Sequence, residues 1–363
     1  MHAVWQVGAE RVEVREVAMP SPGPGEVLVR LAVSALCGSE LEGYRRERQG
    51  ANGGHEAAGV VVAVGAGCSH LRPGDRVGIS AVQGCGACAH CAQGHYTYCE
   101  RHRVLTGLHA EYAVSRELGC HALPADVPWE AGVLLTGDGL GVPYHVSRRL
   151  GERTRPGTVV AVFGAGPVGL GNVLVQARLG ARVAAVDISP YRLSLARALG
   201  ATWAVPVQAG GGLEAEGAAA LAAAVRAACG GAPDVCLECA GRQPTLFAAL
   251  EAVRTGGTVV CVGEQGAAPI SPSAHLIRRD ITLMGSWFTH FSEYPAMLDL
   301  YRSGWPVADL VTHRYALDDA PEAFAAFAAG RTGKTLLCPW PEELSGVAGG
   351  APSPGPRAAN GAG

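Results

Sequence analysis

A glycine-rich turn between a short apolar run and a helical stretch constrains the fold of this 363-residue chain more than any other feature. The run Val159–Phe163 precedes glycines at 164, 166 and 169, and helical spacing of apolar residues follows over 168–179. Strand, glycine turn and helix in this order are typical of a dinucleotide-binding unit, in which a helix N-terminus holds a pyrophosphate. A glycine turn in an unrelated α/β domain is the alternative.

The alternation of strands and helices continues after this turn. Strands are predicted at 183–186, 234–238, 258–262 and 281–284, and helices at 192–199, 218–228 and 245–252. This order predicts α/β architecture, with a doubly wound parallel sheet covered by helices on both faces. Residues 1–150 instead contain short β-branched runs separated by Gly and Pro, such as 26–33 and 59–65, which favours a mainly antiparallel β domain.

The residues of the turn have distinct expected roles. Gly164 permits the tight turn, Gly166 lets the backbone approach a pyrophosphate, and Gly169 allows close packing of helix and strand. Asp187 ends the second strand, where its carboxylate would accept from the ribose hydroxyls and repel a 2′-phosphate, so NAD is favoured over NADP. Arg192 could flank the adenine edge and leaves the choice of cofactor open. The predicted cofactor-binding residues are Gly164, Gly166, Pro167, Val168, Gly169, Asp187, Arg192, Val262 and Gly263.

A second strong pattern is a cluster of cysteines. Of the twelve cysteines, four lie within fifteen residues, with two, two and seven residues between them: Cys85, Cys88, Cys91 and Cys99. Such spacings let one loop wrap a tetrahedral ion, and four thiolates leave no position open to water. A structural zinc site is therefore predicted, with free thiols or disulfides as the alternative.

The composition excludes several classes of partner. The net charge is −3 and charged residues make up 17% of the chain, which gives no electrostatic case for nucleic acid or an anionic membrane. No apolar run of about 18 residues is present, and the N-terminus lacks the pattern of a secretory signal. We expect a cytoplasmic protein whose partners are small molecules or copies of itself.

Four motifs occur in an informative order: Cys37-Gly-Ser-Glu40, Gly54-His55-Glu56, the four-cysteine cluster and the glycine turn. Together they resemble the zinc-containing medium-chain dehydrogenase/reductase family over roughly residues 1–338. The resemblance implies a GroES-like catalytic domain at 1–150, completed by 288–338, and a Rossmann NAD-binding domain at 151–287. The active site is expected in the cleft between them, and the assembly is expected to be a homodimer or homotetramer. Residues 339–363 are expected to form a disordered tail.

The resemblance also implies a catalytic zinc ion, in addition to the structural one. Cys37 and His55 correspond to the first two ligands, and Glu56 is expected to be close enough to replace the bound water transiently. Asp138 is the expected further ligand, because it lies six residues before Tyr144, where other members of the family carry a ligand. The alternative for Asp138 is a turn residue in a Gly-rich loop.

Three residues near Cys37 are implied to serve the catalytic site. Glu40 corresponds to a carboxylate that accepts a hydrogen bond from the zinc-bound imidazole. Ser39 corresponds to the hydroxyl that takes the alcohol proton. Glu42 stands where many relatives carry a relay histidine, so it carries the proton onward, binds substrate, or is an exposed helix residue.

The predicted function is zinc-dependent transfer of a hydride between an alcohol and NAD. The polar residues Glu42, Arg45, Arg46 and His290 favour a polyhydroxylated substrate, such as a polyol, sugar or amino-cyclitol. An activity like that of formaldehyde, threonine or glucose dehydrogenases is the alternative within catalysis. A non-enzymatic NAD-binding scaffold is the alternative of a different class, and it would need only the closed zinc site.

Overall fold

The structure is a computed structural model and describes residues 1–46, 52–207 and 215–340. Apart from Pro339 and Trp340, the tail that was expected to be disordered lies outside the described residues. None of the described helices has the length and hydropathy that a membrane crossing requires.

The N-terminal part is rich in short strands, as the sequence predicts. Its elements are β1 (His2–Gly8), β2 (Arg11–Glu16), β3 (Glu26–Ala35), α1 (Glu40–Arg45), β4 (Ala57–Val64), β5 (Arg76–Ile79), β6 (Val82–Gln83), α2 (Ala89–Ala92), β7 (Arg103–Val104), β8 (Tyr112–Arg116), β9 (Cys120–Ala122), α3 (Trp129–Thr136) and α4 (Gly141–Leu150). The predicted strands at 26–33 and 59–65 correspond to β3 and β4.

In the middle of the chain strands alternate with helices, except that the last two strands follow each other with no α-helix between them. Its elements are β10 (Val159–Phe163), α5 (Pro167–Arg178), β11 (Arg182–Asp187), α6 (Pro190–Ala198), β12 (Trp203–Pro206), α7 (Ala215–Cys229), β13 (Val235–Glu238), α8 (Gln243–Ala252), β14 (Thr258–Cys261) and β15 (Thr282–Gly285). The six strands form a parallel sheet in the order β12-β11-β10-β13-β14-β15. The predicted doubly wound sheet is thereby confirmed.

The order of this sheet reverses between β10 and β13. In open parallel sheets, ligands bind beyond the carboxyl ends of the strands at such a reversal. The glycine turn follows β10, and a methyl group added at Gly164 would lie 2.8 Å from the backbone nitrogen of Ala240, in the loop after β13. The two loops are therefore adjacent at the reversal.

The C-terminal part returns to the N-terminal sheet through α9 (Tyr294–Arg302), β16 (Val311–Ala316), α10 (Ala320–Ala328) and β17 (Lys334–Cys338). The larger sheet has the order β16-β17-β3-β4-β5-β9, and β8 also pairs with β3. All pairings are antiparallel except that of β16 with β17. The C-terminal segment thus adds strands to the N-terminal sheet, while the predicted domains, 1–150 with 288–338 and 151–287, stay predictions.

Candidate active site

Four potential metal ligands from distant parts of the chain lie close together. The donor atoms of Cys37, His55, Glu56 and Asp138 all lie within 4.8 Å of one another. The Asp138 Oδ2 atom lies 3.2 Å from Cys37 Sγ and 3.1 Å from His55 Nε2. Donors around a tetrahedral zinc ion are about 3.3–3.8 Å apart, because bonds of about 2.0–2.3 Å meet at the tetrahedral angle. The observed separations are close to these values.

The cluster places several acidic groups in a buried environment. Glu56 is fully buried, and Asp138 and Cys37 are 7% and 5% exposed. The buried Oδ1 atom of Asp138 has no hydrogen-bond partner among the described residues. Burial raises the pKa of the Cys37 thiol, and the neighbouring charge of Asp138 raises it further. A bound cation would offset both effects, so the donor set fits a metal ion.

Lys334 is the only lysine in the chain and lies fully buried beside this cluster. Its Nζ forms an ion pair with Glu56 Oε1, while Glu56 Oε2 accepts the backbone N–H of Asp138 at 2.9 Å. Burial lowers the pKa of Lys334, but the neighbouring Glu56, Cys37 and Asp138 together outweigh it, so the net shift is upward. No sequence motif indicated a role for Lys334. The sequence feature that could have pointed to this residue is that it is the one lysine in a chain whose other basic residues, apart from histidine, are arginines.

The prediction that Glu40 accepts a hydrogen bond from the imidazole of His55 is wrong. The Glu40 Oε1 atom accepts the backbone N–H of Cys37 at 2.9 Å, and Oε2 pairs with His109 Nε2 at 2.8 Å. His55 Nδ1 instead bonds the carbonyl oxygen of Gly53 at 3.0 Å. The longer side chain of Glu carries its carboxylate to His109, a residue that no sequence motif indicated. Glu40 therefore orients the backbone of one candidate ligand and not the ring of another.

Ser39 and Glu42 lie near the cluster in sequence but differ in surroundings. Ser39 is exposed at the N-terminus of α1, two residues from Cys37. The Glu42 side chain is 65% exposed and forms an ion pair with Arg46 at 2.6 Å. The structure thus leaves the Ser39 hydroxyl accessible and turns Glu42 toward solvent.

The four predicted thiols of Cys85, Cys88, Cys91 and Cys99 also form one cluster, within 4.8 Å. The Sγ atom of Cys91 lies 3.5 Å from that of Cys88 and 3.9 Å from that of Cys85. Four thiolates at the usual Zn–S distance would lie about 3.8 Å apart. A hydrogen bond from the Ala87 backbone lowers the pKa of Cys85 to about 6, while burial raises that of Cys91 to about 11. The spacing fits a closed zinc site.

The glycine turn has the space that a dinucleotide requires. Gly164 has φ +92°, a left-handed conformation that favours glycine. A methyl group at Gly166 would meet nothing within 4 Å, so its backbone is open to an approaching ligand. A methyl group at Gly169 would collide with the carbonyl oxygen of Gly164. The turn is therefore closely packed at Gly169 and open to a ligand at Gly166, at the N-terminus of α5.

Asp187 and Arg192 occupy different surroundings. The carboxylate of Asp187 accepts the backbone N–H groups of Ala165 at 2.6 Å and Ser189 at 2.7 Å, which places it directly beside the glycine turn. The guanidinium of Arg192 donates to the carbonyl oxygens of Thr332 at 2.9 Å and Phe327 at 3.3 Å. The structure brings Asp187 to the turn and directs Arg192 toward the C-terminal segment. A role for Arg192 at the adenine edge stays a prediction.

The carboxyl ends of β14 and β15 border a cavity of about 320 Å³. Val262 and Gly263, both predicted to contact the cofactor, line this cavity together with residues 285–287. His290 does not line it and is 7% exposed, with Nδ1 hydrogen-bonded to Thr97 Oγ1 at 2.9 Å. His290 is thus a packed residue, which removes one of the observations that favoured a polyhydroxylated substrate.

Comparisons with known proteins agree with this geometry. Residues 23–125 match the family model of the alcohol dehydrogenase GroES-like domain, and residues 167–303 match that of the zinc-binding dehydrogenase. The chain is 33% identical to a sorbitol dehydrogenase from Gallus gallus, over 92% of this chain and 94% of that protein. The chain therefore belongs to the zinc-containing medium-chain dehydrogenase/reductase family.

Solved structures show the same likeness in three dimensions. The alcohol dehydrogenase TADH from Thermus sp. ATN1 has a TM-score of 0.79 and 33% identity, covering 93% of this chain and 99% of that one. A short chain alcohol dehydrogenase (rspB) from E. coli CFT073, complexed with NADH, has a TM-score of 0.77 and 25% identity, covering 93% and 99%. The chain is accordingly an oxidoreductase of a zinc-dependent family, as the motifs predict, and one similar structure holds NADH.

Proposed function

We propose that this chain oxidises an alcohol, favouring a polyhydroxylated one, by hydride transfer to NAD. The observation that carries the proposal is the buried cluster of Cys37, His55, Glu56 and Asp138. The loop bearing Asp138 packs directly on the helix after the glycine turn: a methyl group at Gly171 of α5 would collide with the carbonyl oxygen of Gly139. A metal held by the cluster would therefore stand beside the dinucleotide site.

Cys37, His55 and Asp138 are the proposed ligands of the catalytic zinc ion, with Glu56 as a fourth donor that competes for the open position. Three protein ligands leave one position for the substrate oxygen. When bound there, zinc supplies a Lewis acid that favours loss of the hydroxyl proton. Glu40 supports this arrangement by fixing the backbone of Cys37, and Lys334 holds one oxygen of Glu56.

The Ser39 hydroxyl is the proposed acceptor of the alcohol proton, because it is exposed two residues from Cys37. Glu42 is the proposed exit to solvent, since its side chain is 65% exposed. NAD, when bound, would accept a hydride, which is the carbinol hydrogen with both electrons of its C–H bond, while the proton of the substrate oxygen would pass to Ser39. The products are a carbonyl compound, NADH and the released proton.

The glycine turn is proposed to hold the pyrophosphate, through the amide groups at the N-terminus of α5. Gly164, Gly166, Pro167, Val168 and Gly169 supply this turn. Asp187 is proposed to accept from the adenosine ribose, which favours NAD over NADP. Val262 and Gly263 are proposed to contact the nicotinamide end.

The substrate class rests on the relatives. The sorbitol dehydrogenase from Gallus gallus acts, by its name, on a polyol, and this chain matches it over 92% of its length. We therefore place polyols with a secondary carbinol first among candidate substrates.

The test is the appearance of NADH with a panel of polyols, cyclitols, simple secondary alcohols, glucose, threonine and formaldehyde. A polyol is expected to give the highest kcat/KM. Cys37→Ser is expected to abolish turnover while the structural zinc and the circular dichroism spectrum remain. Cys68→Ser is the matched control, because Cys68 belongs to neither of the two candidate metal clusters. A fully active Cys37→Ser enzyme would refute the assignment of the site.

Assembly, location and domain limits belong to the same proposal. The family resemblance supports a homodimer or homotetramer, which sedimentation velocity can distinguish. A cluster of four reduced thiols supports a reducing compartment such as the cytoplasm. We keep 1–150 with 288–338 as the catalytic domain and 151–287 as the NAD-binding domain. Limited proteolysis should cut first near these limits.

A further inference from the structure

The four-cysteine lobe, residues 85–99, forms one wall of the cavity at the carboxyl ends of β14 and β15. Thr97 and Tyr98 of the lobe line this cavity of about 320 Å³. Val262, Gly263 and residues 285–287 line it from the Rossmann sheet. A closed zinc site usually stabilises only its own loop, but here that loop faces the proposed nicotinamide end directly.

His290 connects the lobe to the segment that follows β15. Its ring stacks on His95 with centroids 4.3 Å apart and meets the edge of Tyr98 at 4.6 Å. Its Nδ1 bonds Thr97 Oγ1 at 2.9 Å. The next two residues also contact the lobe: the Phe291 ring stacks on Tyr96, and the backbone N–H of Ser292 donates to the Gly94 carbonyl. The lobe thus holds residues 290–292 through rings, a hydroxyl and the backbone.

The same segment is tied to α4 by Glu293. Its carboxylate accepts the backbone N–H of His290 at 3.0 Å and the Thr289 hydroxyl at 2.9 Å. It also pairs with His145 Nδ1 at 3.0 Å, and the ring of His145 lies 4.7 Å from that of His290. His290 is therefore the residue at which contacts from the lobe and from α4 converge.

Phe288 lies between this anchored segment and the cavity wall at 285–287. Its φ angle is +55°, although it is neither glycine nor asparagine, and its side chain is only 7% exposed. A bulky residue keeps a left-handed conformation only where its surroundings enforce it. The anchored residues 289–293 follow immediately, so loosening them would let Phe288 relax and displace the cavity wall.

We propose that His290 is a positioning residue through which the four-cysteine lobe holds the nicotinamide-binding wall in place. The lobe thereby supports cofactor affinity and not only stability. The inference rests on the proposed function, because it takes residues 262–263 and 285–287 as the nicotinamide wall. His290 itself does not line the cavity, so its effect on the cofactor is indirect.

The test measures NADH binding to the zinc-loaded enzyme by fluorescence, without turnover. His290→Ala is expected to raise the Kd for NADH about tenfold, with two zinc ions per chain retained and the KM of the alcohol unchanged. His290→Asn keeps a polar atom near the position of Nδ1 and is expected to recover most of the affinity. Val27→Ala, which changes a fully buried residue of a separate core cluster, controls for a general loss of stability.

The outcomes separate this inference from the proposed function. An unchanged Kd in His290→Ala, with normal binding by the wild type, would overturn the inference alone. Equal losses of affinity in Val27→Ala and His290→Ala would also overturn it. If the wild-type enzyme binds no NADH, the proposed function fails together with the inference.

Discussion

Replacing Lys334 by Met tests the buried ion pair behind the candidate metal cluster. The side chains of Lys334 and Glu56 are 1% and 0% exposed, and Met is neutral and similar in length. The substitution leaves Glu56 Oε1 without its cation, although Oε2 keeps the N–H of Asp138. Removing one partner of a buried ion pair costs about 3–5 kcal/mol, because the other charge stays buried and uncompensated. We expect a loss of this size in the free energy of unfolding.

The assay is equilibrium urea unfolding of the zinc-loaded protein, and the double variant Lys334→Met/Glu56→Gln removes both charges. Glutamine keeps an acceptor for the Asp138 N–H and carries no charge. The double variant is therefore expected to lie within about 1–2 kcal/mol of the wild type, because no charge remains unpaired. A single variant as stable as the wild type, or a double variant no better than the single one, would refute the reasoning.

Two further predictions concern pH and cofactor choice. Burial lowers the pKa of His121 from 6.5 to about 3, so the unfolded chain binds the proton more readily, and stability falls by about 1.4 kcal/mol per pH unit between pH 6.5 and about 3. His121→Phe keeps a ring against Phe291 and should flatten that fall between pH 6.5 and 4.5 in unfolding experiments; an unchanged slope would contradict this. Asp187→Ser removes the proposed ribose acceptor. It is expected to lower kcat/KM for NAD about 10- to 100-fold and to leave kcat/KM for NADP unchanged. An unchanged ratio of kcat/KM for NAD to kcat/KM for NADP would argue against that role.

The local motifs could be predicted from sequence because their spacing determines their geometry. The glycine turn requires one strand before it and one helix after it, and both are present. The four-cysteine lobe closes within fifteen residues, so its thiols meet regardless of the rest of the fold. Strand β12 was not predicted because it is short and only Val205 within it is buried.

Long-range side-chain pairs could not be predicted from sequence in the same way. Glu56 and Lys334 are 278 residues apart, and they meet only because β17 returns beside β3. Glu40 and His109 are 69 residues apart, and the carboxylate of Glu40 pairs with His109 while His55 Nδ1 bonds the Gly53 carbonyl. His290 was interpreted as a substrate residue because its packing against the lobe depends on how the two regions dock.

The most direct test of the account is anomalous X-ray scattering at the zinc absorption edge from crystals of the zinc-loaded protein. The account predicts two peaks per chain. One should lie about 2.3 Å from the four cysteine sulfurs, and the other about 2.0–2.3 Å from Cys37 Sγ, His55 Nε2 and a carboxylate oxygen of Asp138. A single peak at the four-cysteine lobe, with none between Cys37 and His55, would contradict the central claim.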